Sequence, residues 1–332
     1  GDQCLGRLVG GNFPEGRGCG VKRLPHSHYN MGDFSEKVFT DRTKEMKHRS
    51  EFGHQGGELS EQGARGTVAG LYSEIRDTMG LSMVNLIYRR MATEEGVLEW
   101  VWAWINGAIN SLDIEDELAQ LSEGVAWPAV KSVQRASLPL LGIDEVEKIK
   151  LASVLSQYNR GNSLNLLLLN AFLAHLRKGK VLQGPRMQSL KARRVHVKEL
   201  PPILDLGQMG QDTAAVVRVL AKYVSPPGSL MIPSLFRHLA HWPGFLALVA
   251  PHILQSIAKG EVRKVSSCLK ERAISKVSAL RLQKTDVITE KVPSIDIRDY
   301  WAEEIDSHLQ KPIPEMIVIG NMIESILPDE EK

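Results

Sequence analysis

Cysteine is scarce in this chain of 332 residues. Cys4, Cys19 and Cys268 are too few and too scattered for a disulfide framework or a zinc site, a usage that suits a reducing cytoplasm. No apolar run reaches the roughly 18 residues of a membrane span. The best candidate, Leu164 to Leu176, is interrupted by Asn165, Asn170 and His175. The first thirty residues also lack the continuous apolar stretch of a secretory signal. No glycine-rich dinucleotide loop, phosphate loop, metal cluster or nucleophile elbow occurs, so neither cofactor nor metal is expected. Acid is missing too: neither Asp nor Glu occurs in residues 78–93, 148–198 or 213–260.

What is present is a soluble globular composition, 43% hydrophobic and 24% charged with net charge +2, and a segment that occurs twice. Met83 to Leu98 and Met231 to Leu246 align at a constant offset, with Arg89 on Arg237, Ala92 on Ala240, Gly96 on Gly244, Leu98 on Leu246 and Tyr88 on Phe236. Two such copies predict pseudo-symmetric helical repeats whose apolar faces meet at a central seam, the first place to look for a pocket.

Apolar spacing predicts an all-α chain. Val68, Leu71, Ile75 and Met79 mark one helix ended by Gly80, and Ser82 reads as the N-cap of the next, with Met83, Leu86, Ile87 and Met91 on one face. Leu98 to Leu112 continues as an amphipathic helix whose Trp100, Trp102 and Trp104 are core and boundary positions. Asp144 caps a helix through Tyr158, residues 159–162 (N-R-G-N) break it, and Ser163 opens another to Lys178. Further helices are predicted over Thr213 to Tyr223, Phe245 to Lys259, Glu261 to Leu282 and Glu315 to Leu327.

The predicted organisation is a disordered, glycine-rich leader over 1–65, repeat 1 over 66–179, a basic and proline-containing linker over 180–210, and repeat 2 over 211–328. The leader's His26, His28, His48 and His54 read as solvated tail. The linker's basic run has no interleaved aromatics, so a solvated connector is favoured over a nucleic-acid patch.

The stretches Y-S-E-I-R-D-T-M-G at 72–80, Y-N-R-G-N-S-L-N-L-L-L-L at 158–169 and L-A-H-W-P-G-F-L at 239–246 resemble, as a set, the group I D,L-2-haloacid dehalogenases. The likeness covers about residues 66–328. It implies an all-helical fold of two pseudo-symmetric repeats with the active site between them. It further implies metal-free hydrolysis of small 2-halocarboxylic acids by an aspartate-activated water attacking the carbon that bears the halogen. By the same resemblance the family's asparagine falls on Asn162 and its serine on Ser234, both retained. Its tyrosine falls on Asn165, its tryptophan on Met83, a phenylalanine on Leu86, and its aspartate on Leu235.

Leucine accepts no proton, and the acid-free stretches leave no register slip that restores a carboxylate. A positioned base contributes roughly 10² to 10⁴ in rate. Three functions stay open: a hydrolase in which Asn162 and Ser234 position water and His238 serves as substitute base, a catalytically altered binder of a small organic acid or apolar ligand, and a helical interaction module. Met83, Leu86, Asn165 and Leu235 are the expected substrate contacts. Each residue also has a plainer reading, Asn162 and Ser234 as helix caps and His238 as a hydrogen-bonded histidine. Arg89 and Arg237 read either as an anion site across the seam or as outward salt-bridge partners.

Overall fold

The computed structural model describes residues 57–110, 112–130, 133–178, 200–226, 228–279 and 292–328. Every element among them is helical: α1 (Gly66–Met79), α2 (Leu86–Met91), α3 (Val97–Ile109), α4 (Ile114–Ser122), α5 (Glu145–Lys178), α6 (Gln211–Val224), α7 (Ser234–Leu239), α8 (Pro243–Ala258), α9 (Glu261–Ala279), α10 (Ile295–Gln310) and α11 (Pro312–Ile326), joined in places by short 3-10 turns. Among the described residues no helix is long and apolar enough to cross a membrane. The expected all-α class is the observed one.

Helix α5 is the axis of the core. It packs most extensively along α11 and also touches α3, α4, α7, α9 and α10. Its 34 residues replace the two helices expected on either side of residues 159–162. Glycine in a helix interior costs roughly 1 kcal/mol, yet the helix runs through Gly161 because close packing there demands the missing side chain. A Cβ on Gly161 would lie 2.9 Å from the Asn85 amide and 3.1 Å from Leu81 Cδ1. The N-cap reading of Asn162 therefore fails, since that residue lies in mid-helix. Asp144 does cap α5 as expected, its carboxylate accepting the Glu147 N–H at 2.8 Å.

Other local expectations fare unevenly. Helix α2 begins at Leu86, so Ser82 is not its cap; residues 82–83 bend, and Asn85, in extended conformation, takes the N-cap position. The tryptophans of α3 are core and boundary residues, as predicted, with Trp100 and Trp102 buried and Trp104 half-buried: Trp100 and Trp104 stand edge-on to Phe172 with ring centroids 5.1 and 5.5 Å away, and Trp102 meets Tyr88 edge-on at 6.0 Å. The basic run lies mostly outside the described residues, as does the leader up to residue 56.

Residues 57–65 correct the expected disorder, because they are attached along their length. Leu59 N–H donates to the Arg89 carbonyl at 3.0 Å, and the Leu59 carbonyl accepts from Tyr72 O–H at 2.8 Å. Glu61 accepts from Val84 N–H at 2.9 Å and pairs with Arg76 at 2.6 Å. Composition misleads here because the attachment runs through backbone groups and two carboxylates rather than through an apolar face.

Gly320 sets the spacing of α5 and α11. A Cβ there would overlap Asn159 Oδ1, whose amide Nδ2 donates to Glu324 at 2.8 Å. Gly320→Ala should therefore lower stability by about 1–3 kcal/mol in urea unfolding, despite the better helix propensity of alanine. Adding Asn159→Ala should recover most of that loss, and failure of the double variant to recover would show that the overlap is not the cause.

Candidate functional site

Both copies of the duplicated segment border one cavity. Its wall takes Asn85, Leu86 and Ile87 from the first copy and Met231, Pro233, Ser234 and Leu235 from the second. Helix α5 adds Tyr158, Asn162 and Asn165, whose i, i+4, i+7 spacing puts them on one face. His308 of α10 and Pro312, Ile313 and Met316 of α11 close it. The cavity encloses about 470 Å³ of empty space, its open mouth included. No carboxylate and no arginine or lysine lines it.

Five of the seven residues expected at the site thus line the cavity: Asn162, Ser234, Leu86, Asn165 and Leu235. Met83 does not; it is buried in the core nearby. His238 does not either, because it stands behind Tyr158, which donates to its Nδ1 at 2.8 Å. The opposite ring nitrogen, Nε2, donates to the Pro201 carbonyl at 2.6 Å. Burial lowers the imidazole pKa to about 4, and the neighbouring cations Arg89 and Arg237 push the same way. With its proton-accepting lone pair already taken, His238 is a poor base. Its neighbour His241 donates to the next carbonyl, Pro202, at 2.8 Å, so the two histidines hold the end of the linker.

Ser234 is not a helix cap: its N-cap neighbour is Pro233, with no side-chain capping bond. Its hydroxyl instead accepts from Arg89 Nη2 at 2.7 Å. Arg89 is 1% exposed and makes two further contacts, to the Val84 carbonyl and to Glu58 Oε2 at 2.9 Å. Glu58 reaches across to the second copy as well, where its other oxygen takes Arg237 Nη1 at 2.6 Å. Arg237 also bonds the Leu204 carbonyl at 2.8 Å and Asp205 at 2.5 Å. Neither expected reading of the repeated arginines holds. They turn inward, and the chain's own carboxylate occupies the space between them.

Burial pushes the Glu58 carboxyl up, but Arg89 and Arg237 together outweigh it and hold the group below its usual range. Sequence reasoning missed Glu58 because it sits in a glycine-rich stretch without periodicity. It missed His308 because residues 292–314 carried no assigned element, although Ser294 caps α10 by accepting from Ile297 N–H at 3.4 Å. His308 Nδ1 donates to the Glu304 carbonyl at 2.7 Å and Nε2 accepts from Arg90 at 3.1 Å. Burial and the Arg90 charge lower its pKa. Tyr158 itself was legible in the motif at 158–169 but was not singled out.

The remaining motif residues are structural. Arg160 donates to the Met79 carbonyl at 2.9 Å and forks onto both oxygens of Glu115 at 2.9 and 2.8 Å. Trp242 donates its indole N–H to Glu147 at 2.7 Å, tying the start of α8 to that of α5. Among the described residues no three His, Cys, Asp or Glu side chains gather as a metal site requires.

Glu58→Gln leaves the buried Arg89 without a counter-charge and Arg237 with Asp205 alone. It should cost about 3–5 kcal/mol in urea unfolding, as breaking other buried pairs does. A loss under about 1 kcal/mol would reduce the bridge to a surface contact. Because its folded pKa is depressed, the Glu58 contribution is complete above the unfolded carboxyl range near pH 4.3 and is lost as pH falls further. The histidines act at higher pH. Folding lowers the pKa of His238 and His308, so below about pH 6.5 the unfolded chain binds more protons and stability falls as pH drops toward 4. The urea midpoint should decline across pH 6.5 to 4.5, and His238→Gln should flatten that slope; a midpoint independent of pH in this window is the opposing result.

No protein-family model matches the chain. A configuration-inverting 2-haloacid dehalogenase from Alcaligenes xylosoxydans xylosoxydans is 27% identical over 209 residues, which cover 61% of this chain and 70% of that protein. A solved D-2-haloacid dehalogenase mutant in complex with D-2-CPA superimposes with a TM-score of 0.63 at 16% identity, covering 82% of this chain and 96% of its own. The D-2-haloacid dehalogenase complex with L-LA gives 0.57 at 16% identity, with 81% and 94% covered. The structures share the fold, and the sequence similarity points the same way: both support reading the chain as a divergent relative of the 2-haloacid dehalogenases.

Proposed function

We propose that this protein keeps the family's small-molecule cavity but not its hydrolytic chemistry, and that it binds a small, partly apolar organic molecule between the two duplicated segments. The observation that carries this reading is the lining: apolar side chains, three asparagines, a serine, a tyrosine and a neutral histidine, with no carboxylate. Such a wall holds a compact organic guest by shape and a few hydrogen bonds.

Attack of water on a carbon bearing a halogen needs a base at the water. The position that the resemblance gives to the water-activating aspartate is Leu235, 1% exposed and on the wall. His238, the residue nearest to a substitute, is engaged at both ring nitrogens, and Tyr158 stands between it and the cavity. His308 lines the wall but is likewise engaged at both nitrogens. Glu58 and Glu304 each stand two hydrogen bonds from the wall, through Arg89 to Ser234 and through Arg90 to His308, and both are held by guanidiniums. Without a base the reaction forgoes roughly 10² to 10⁴ in rate.

Purified protein incubated with either enantiomer of 2-chloropropanoate should release no halide above a boiled control at any pH from 6 to 10. Sustained, protein-dependent halide release at any of these pH values would overturn the proposal.

A further inference from the structure

The hydrogen-bond directions around the cavity run one way. The Pro201 carbonyl only accepts, so the proton on its bond to His238 belongs to Nε2. The buried imidazole is neutral at pH 7, which leaves Nδ1 as a bare lone pair, and Tyr158 O–H donates to it. Burial pushes the Tyr158 phenol up, so it keeps that proton. From the other end, Arg89 donates to Ser234 Oγ. The donors beside the wall run from Tyr158 through His238 to the Pro201 carbonyl.

Tyr158 has no proton left for a guest, so its oxygen meets the cavity as an acceptor. Asn85 adds a second acceptor, since its Oδ1 is buried on the same wall and has no partner. A buried polar atom left unpaired costs about 1–3 kcal/mol, which a ligand N–H would recover. Asn165 supplies the opposite polarity: its Oδ1 accepts from Tyr88 O–H at 2.9 Å, so its Nδ2 hydrogens are the donors facing inward. The cations bonded to wall residues, Arg89 and Arg90, are paired with Glu58 and Glu304.

We propose that the ligand of this cavity is a short aliphatic primary carboxamide. Its NH₂ donates to Tyr158 and Asn85, its carbonyl accepts from Asn165, and its alkyl part lies against Leu86, Leu235, Ile313 and Met316. The inference rests on reading the cavity as a small-molecule site. A carboxylate of the same shape brings two acceptor oxygens and no proton to the lone pairs of Tyr158 and Asn85, and meets no unpaired cation.

Calorimetric titration of the full chain at pH 7.5 with propanamide and 2-chloropropanamide, each against the matching carboxylate, tests this. The amides should bind at least tenfold more tightly than the acids. Asn85→Ala and, separately, Asn165→Leu should each weaken amide binding at least fivefold, with folding checked by the unfolding midpoint. A carboxylate that binds as tightly as its amide overturns the amide assignment and leaves the binding-site reading standing. Amide affinity unchanged in both variants places the binding elsewhere and also overturns the assignment. No heat and no thermal stabilisation with any of the four compounds or with 1-chloropropane overturns the inference and the binding-site reading together.

Discussion

One carboxylate between two guanidiniums organises this molecule. Glu58 binds Arg89 of the first copy and Arg237 of the second, so a residue preceding the first helix ties together two short helices that line the cavity. A guanidinium as buried as that of Arg89 needs a counter-ion to offset its desolvation. On the acid's side the two guanidiniums outweigh burial, since they hold the Glu58 carboxyl below its usual range. Once Arg89 is held, its guanidinium also bonds the Ser234 hydroxyl, while the Pro201 carbonyl sets the protons of His238 and Tyr158 from the other side.

That arrangement explains how a wall rich in polar groups is chemically quiet. Catalysis of water attack requires an acceptor whose basicity is available, and here the basic atoms are either spent on internal donors or neutral by burial. Tyr88 and Tyr158 keep their protons because burial disfavours the phenolate, and both imidazoles stay uncharged for the corresponding reason. Hydroxyls, amides and lone pairs remain, which recognise a guest without activating a nucleophile.

The helices that pack by periodic apolar faces were legible in the sequence, and so were the core tryptophans of α3, because burial leaves a 3.6-residue signature. The duplicated segment pointed to the place where the cavity lies, and the acid-free stretches anticipated its carboxylate-free wall. What failed to read correctly depended on contacts between distant residues. Gly161 reads as a helix breaker until Asn85 is known to press against it. Asn162 and Ser234 read equally well as caps, since a local pattern carries no information about a partner 145 residues away such as Arg89. Helices α4 and α10 carried weaker signals, an Asp113 cap and a Ser294 cap ahead of short amphipathic runs.

The bridge also imposes an order on biosynthesis. Glu58 and Arg89 are 31 residues apart and leave the ribosome almost together, whereas Glu58 and Arg237 are separated by 179. At roughly 5–20 residues per second the nascent chain spends on the order of ten seconds or more with the first pair made and the second arginine unborn. Over that interval Arg89 lacks its serine as well, so the ion pair is a seed that cotranslational folding must shelter until the second copy arrives.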